Sequence, residues 1–345
     1  MNQISYSDNV LLALSIINLV GSSISLLCLL LVLVILVCKK KIKSFVNELL
    51  LYITISEICN SISKFLDLCK KISIITESII LRQCIISIQV ILSLFSDFCT
   101  LITSLMISLK FHDSLKNKSI CFNKKCFRVL ARITCIGGAL LLAGVFFSLD
   151  RFVFHHQENK WEKDYWTWVD PKLSLVVYGI VLLIIIVIIV LSCKTISYLR
   201  KKRKEFSDAD KDCSIDDDST LTSRVEDKEK RMFSETLITE KIEKAMGTFY
   251  KYPFVSTTIW LILGVYRVTE DISLIMDLKL DMTLLSILVI IHSLISSFRG
   301  VIYFFAYFRS SKIVCRDFID LFMPRKVSIP SERVTERETK HTIIL

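Results

Sequence analysis

Long apolar stretches of this chain carry a small set of charged and polar residues at helical spacing. Glu57, Asn60, Lys64 and Asp67 fall on one helical face of the stretch 49–68. Asp97 stands near the middle of 83–109, flanked by Ser93, Ser96, Thr100, Thr103 and Ser104, largely on one side. Arg267 and Glu270 close the stretch 249–271, and His292, Ser296 and Arg299 lie within 284–308. Ionisable groups in such surroundings face a bundle interior or a cavity, where they pair with one another or mark a functional path. Two kinds of chemistry are therefore open for Asp97 and Glu57. One is interhelical pairing with Lys64, Arg267 or Arg299; the other is ligand binding or a charge-coupled switch. Lys64 and Asp67 lie near the end of their stretch, where snorkelling to the interface is expected. For the Ser and Thr residues packing is the expectation.

Other chemistry finds little support. Of the five histidines only His292 lies inside an apolar stretch, too few for a tetrahedral zinc site built in a bundle. Cys121 and Cys126 lack a second pair at zinc-ligand spacing, so no metal site and no cofactor is expected. No lysine stands in 284–308 to form a retinal Schiff base, and neither a Gly-rich phosphate loop nor a nucleophile elbow occurs. The chain reads as a non-enzyme. Twelve cysteines are present, mostly in apolar or basic segments, where a free thiol behaves as a small hydrophobe. Cys69 and Cys84 lie where a disulfide is redox-permitted, and the sequence leaves bond and free thiols equally open. Cys315 is a candidate for lipidation by S-acylation.

The elements that must position these residues follow from the apolar runs. A hydrocarbon core about 30 Å thick needs roughly 20 apolar residues per helix. Seven runs qualify: 11–38, 49–68, 83–109, 129–149, 173–193, 249–271 and 284–308. This predicts an all-α membrane protein, a seven-transmembrane helix bundle over 11–308 with a short segment 1–10 before it. The first run is too long for the core of a secretory signal and follows no basic start, so it reads as a retained span. The residues show no internal repeat and no broken helix.

Orientation comes from the basic residues. With the amino end outside, the cytoplasmic segments 39–48, 110–128, 194–248 and 309–345 hold 31 of the 44 Lys and Arg. The N-terminus is thus expected outside and the C-terminus in the cytoplasm. The net charge of +10 is a topology signature, with the lipid bilayer as its partner and no nucleic acid implied. The long loop 194–248 balances 13 basic with 13 acidic residues, and its middle, 206–234, is expected to be disordered. In the tail, 309–326 can form a short amphipathic helix stopped at Pro324. Between the fourth and fifth runs Trp161, Tyr165, Trp166 and Trp168 form an aromatic cluster, either an interfacial belt or a lid over an outer pocket.

Several segments form a recognisable set: GSSISLLCLLLVLVI at 21–35, LLLYITISEICNSIS at 49–63 with Glu57, and Cys84 opening the third run. To these add Trp166-Thr167-Trp168, YKYPFVSTTIWLILGVYRV at 250–268 with Tyr252, Pro253, Trp260 and Arg267, and Gly300 in SSFRGVIYFFAYF. Together they resemble the cyclic-AMP-receptor-like (class E) G-protein-coupled receptors, a group distantly similar to secretin-type and Frizzled receptors. Glu57 stands at the family's acidic position of the second helix, Trp166-Thr167-Trp168 is similar to its Trp-Cys-Trp loop motif, and Gly300 resembles its helix-7 glycine. Rhodopsin-like receptors fit less well, since Lys110-Phe111-His112 follows the third run and no Asn-Pro-x-x-Tyr occurs in the seventh.

The resemblance implies a plasma-membrane receptor that binds an extracellular ligand and signals through a heterotrimeric G protein. A transporter or channel is the alternative. Ligand or switch residues would be Asp97, Glu57, Lys64, Arg267, His292, Arg299, Trp166 and Trp168. Hinges would be Pro253, Gly264 and Gly300, and Lys124, Lys125, Arg200, Lys201, Lys202 and Arg203 would face the G protein. The family's loop cysteine would pair with the position of Cys84. Thr167 stands in its place, so that bond is expected to be absent and cyclic AMP is not carried over as ligand.

Overall fold

The structure, a computed structural model, describes residues 8–38, 45–69, 79–116, 124–150, 171–212, 251–276 and 281–310. All the described elements are helical. They are α1 (Asp8–Cys38), α2 (Phe45–Cys69), α3 (Ile79–Lys116), α4 (Lys124–Arg132), α5 (Ala139–Leu149), α6 (Pro171–Asp212), α7 (Lys251–Met276), α8 (Met282–Ser297) and α9 (Arg299–Ser310). A π-helical segment, Ile133–Gly138, joins α4 to α5. Five helical stretches are long and apolar enough to cross a membrane: Asn9–Val37, Asn47–Leu66, Gln83–Asp113, Cys126–Leu149 and Lys172–Tyr198. The pair α8 and α9, bent by 48°, makes a sixth if counted as one span. The expected sixth run, now α7, is the one that falls outside this set; its 26 residues include Lys251, Arg267, Glu270 and Asp271.

The outward faces of these helices are apolar. Leu27, Leu183 and Val265 are each more than 60% exposed, as lipid-facing side chains are and as those of a water-solvated bundle rarely are. The interior holds the polar groups instead. Helix α3 lies at the centre, packed against α2, α5, α6 and α7, and buries Leu94, Phe98, Leu101 and Met106. Helix α1 packs along α2, α8 and α9.

Two features differ from the sequence expectations. Helix α6 runs on past the apolar residues to Asp212, so 206–212 is helical where disorder is expected; the rest of 206–234 lies outside the described residues. The basic run Arg200–Lys204 has good helix formers and continues the turn already established by the apolar stretch. The other difference is a broken helix. The chain bends at Phe298 (φ −90°, ψ 7°) between α8 and α9.

Neighbouring helices fill the hydrogen-bonding needs of that break. Ser25 Oγ on α1 donates to the Ser297 carbonyl at 2.6 Å, and Asn60 Nδ2 on α2 donates to the Ser296 carbonyl at 3.4 Å. Glycine allows α1 to come this close. A Cβ on Gly21 would stand 2.7 Å from Ser297 Cβ, and one on Gly300 would stand 2.8 Å from Ser25 Cβ and 2.7 Å from Leu29 Cδ1. Gly21→Ala and Gly300→Ala are each expected to lower stability by about 1–3 kcal/mol, read as the thermal unfolding midpoint in detergent. Gly144→Ala, with nothing within 4 Å, serves as the neutral control.

Candidate functional site

Arg299, the first residue after the break, sits at the centre of the bundle and is 2% exposed. Its Nε donates to both carboxylate oxygens of Glu57, at 3.0 and 2.8 Å, and its Nη2 donates to Glu57 Oε1 at 2.8 Å. Nη1 reaches Asp97 Oδ1 at 2.8 Å, and Nη2 also reaches Ser96 Oγ at 3.2 Å. Thr100 Oγ1 donates to Glu57 Oε1 at 2.9 Å and lies 2.8 Å from Ser56 Oγ. The guanidinium carbon also stands 5.4 Å from the centre of the Trp260 ring. One planar fork thus joins α2, α3 and α9, a task that suits Arg because its donors are fixed in a plane.

The two carboxylates are not equivalent. Glu57 has no exposed side-chain surface, whereas the Asp97 side chain is 23% exposed. Asp97 borders a cavity of about 30 Å³ between α3, α6 and α7, whose other polar lining residues are Ser174, Tyr178, Trp260 and Arg267. Glu57 is therefore the enclosed counter-ion of Arg299, and Asp97 is the more accessible of the two carboxylates.

Three further polar groups tie the helices together. Arg267 Nη1 donates to Glu270 Oε2 at 2.6 Å, one turn along α7, and Tyr266 Oη donates to Glu270 Oε1 at 2.8 Å. The His292 ring packs at 4.9 Å from that of Tyr266, and Asp271 is buried next in the chain. On α1, Asn18 Oδ1 accepts from Ser293 at 2.9 Å and from Ser297 at 2.6 Å, holding α8 just before its break. At the far end of α2, Glu48 accepts from Arg132 Nε and from Tyr52 Oη, with Arg128 Nε 3.8 Å away. Arg132 is 53% exposed and Arg128 42%, so this clamp is solvated on its basic side. Glu48→Gln is expected to cost no more than about 1 kcal/mol, and the loss should shrink with added salt in a thermal unfolding series.

The structure brings together three of the sequence candidates, Glu57, Asp97 and Arg299. Arg267 takes Glu270 as its ion-pair partner and borders the same cavity, while His292 is buried against Tyr266. Lys64 is half-buried on α2. Helix α7 runs unbroken through Pro253 and Gly264, and the bend lies at Phe298, two residues before Gly300. Arg200 and Lys201 are exposed on α6, which also carries Lys202 and Arg203, and Lys124 and Lys125 start α4. Trp166, Thr167, Trp168 and Cys315 lie outside the described residues; of the tail helix expected at 309–326, residues 309–310 end α9 and the rest lies outside the described residues; Cys84 is an exposed free thiol.

Packing is the sequence expectation for Ser96 and Thr100, yet both bond the ions directly. Their position beside Asp97 and one turn from it is the signal that points to this role. Asn18 and Glu48 are buried polar residues that join helices and that the spacing argument passes over. The signal for Asn18 is the lone amide of the first run, and for Glu48 a single acid after a basic segment.

No protein-family model matches the chain, and no curated protein matches it. The structure accordingly supports a class: a chain all-helical among the described residues, with several helices suited to crossing a membrane and a buried ionic joint at a helix break.

Proposed function

We propose that this protein is a seven-span plasma-membrane receptor, amino end outside, which binds an extracellular ligand and activates a heterotrimeric G protein. The observation that carries the reading is the Arg299 joint: one cation shared by Glu57 and Asp97 across three helices, placed immediately after a helix break. A ligand shifts a conformational equilibrium only by binding one state better than another. A group drawn to Asp97 competes with Arg299 for that carboxylate, loosens the joint on one side and lets α9 move about Phe298, while Glu57 keeps Arg299 neutralised. In this reading α7 is the sixth span, its charges sheltered inside the bundle, and α8 with α9 is the seventh. The basic turn of α6 then meets the inner leaflet and borders the groove that receives the G protein.

A transporter is the second reading, because the break between α8 and α9 beside buried charges is a feature that transporters share. Guanine-nucleotide exchange on co-expressed G proteins, screened against candidate ligands, separates the two. Orientation is tested by a protease site inserted within 213–234. Cleavage is expected only after the cells are permeabilised, and cleavage on intact cells overturns the topology.

A further inference from the structure

We propose that the cavity between α3, α6 and α7 is the anchoring subsite for the ligand and takes a small cationic group, the ammonium of an amine, against Asp97. That its occupant is an extracellular signal rests on the receptor reading; its preference for a cation rests on the site itself.

Asp97 uses one oxygen on Arg299 Nη1, and its Oδ2 accepts no hydrogen bond among the described residues although the residue lines the cavity. With the side chain 23% exposed, that oxygen is accessible to an incoming donor, and a charge-assisted hydrogen bond to it is of the stronger kind. The cavity of about 30 Å³ has room for a group the size of one or two waters, which matches an ammonium head.

Charge decides which kind of group. The carboxylates of this region are the buried Glu57, Glu270 and Asp271 and the partly exposed Asp97, against the buried guanidiniums of Arg267 and Arg299. Among the described residues Lys64, half-buried on α2, and Lys172, exposed two residues before Ser174, are further cations of this region, and Asp150 is a further buried acid. His292, Tyr178 and Tyr266 are the other titratable side chains packed here. Arg267 also lines the cavity, yet its charge is met at 2.6 Å by Glu270, so it offers an anion no free partner. At the cavity wall an incoming cation meets the Asp97 carboxylate, whereas an anion is repelled by it. Phe98, Tyr178 and Trp260 supply aromatic surface around it, which favours an alkylammonium over a hydrated metal ion.

The test uses the full chain in lipid nanodiscs without G protein. Its thermal unfolding midpoint is followed against methylammonium, sodium, methanol and acetate at matched ionic strength. Methylammonium should raise the midpoint saturably, and the other three should leave it in place. Asp97→Asn should raise the half-saturating concentration about tenfold or more, as the loss of one charge-assisted hydrogen bond implies. Val177→Phe, which fills the cavity and leaves Asp97 intact, should do the same, and it decides the matter alone if Asp97→Asn does not fold. An equal shift from methanol or sodium, or wild-type binding by either variant, overturns the cation subsite. Binding of this kind without any nucleotide exchange would keep the subsite and remove the receptor; exchange without it would do the reverse.

Discussion

Arg299→Ala is expected to remove about 3–5 kcal/mol of stability, the largest loss expected of a single substitution in the bundle. The loss comes from the groups left behind. Glu57, with no exposed side-chain surface, and Asp97 would share the interior with no cation between them, and Ser96 would lose a donor. Arg299→Lys should recover only part of the loss, because one ammonium cannot reproduce a planar fork that spans both carboxylates. Removing all three charges, as in Arg299→Met with Glu57→Gln and Asp97→Asn, should be much milder than Arg299→Ala alone. A buried ion network contributes little over an apolar or neutral replacement, whereas a broken one is costly. Thermal unfolding of the purified variants, with surface expression as a second readout, checks the order. A triple variant no more stable than Arg299→Ala would mean that packing of the guanidinium, and not its charge, holds the joint.

The second large effect separates the two carboxylates. Glu57→Gln should cost roughly 2–4 kcal/mol and Asp97→Asn about 1–2 kcal/mol, although both remove one charge beside the same cation. Glu57 takes three of the guanidinium contacts and the Thr100 hydroxyl, inside a fully closed environment. Asp97 takes one contact and borders the cavity. On this account Glu57→Gln is a folding defect, while Asp97→Asn folds and loses its response to ligand. Equal destabilisation by the two would contradict the division of labour between counter-ion and open carboxylate.

Helix positions and the polar faces of α2 and α3 are legible in the sequence, because apolar length and helical spacing are local properties. Asp97 and Glu57 are recognisable as interior for the same reason: charge in an apolar run must find a partner. Their partner is only one of three basic choices, since Lys64, Arg267 and Arg299 lie on different helices and spacing says nothing about which helices meet. The structure decides it through the close approach of α1 at Gly21 and Gly300 to α8 and α9, with α9 packed against α2. The break at Phe298 is hidden too. Neither Pro nor Gly stands at that residue, and the stabilising groups, Ser25 and Asn60, come from helices more than 200 residues away in the chain. Arg267 looks like a long-range partner but finds Glu270 in its own turn, a pair that the i, i+3 spacing already offers.

The most direct measurement of the central claim is guanine-nucleotide exchange by heterotrimeric G proteins reconstituted with the full chain, screened against small extracellular molecules, for wild type and Asp97→Asn side by side. The account predicts that at least one ligand accelerates exchange on wild type, and that Asp97→Asn, folded and inserted to the same level, loses that acceleration. Ligand-driven flux of a small molecule across the vesicle membrane, with no exchange on any G protein, would contradict it and establish the transporter instead.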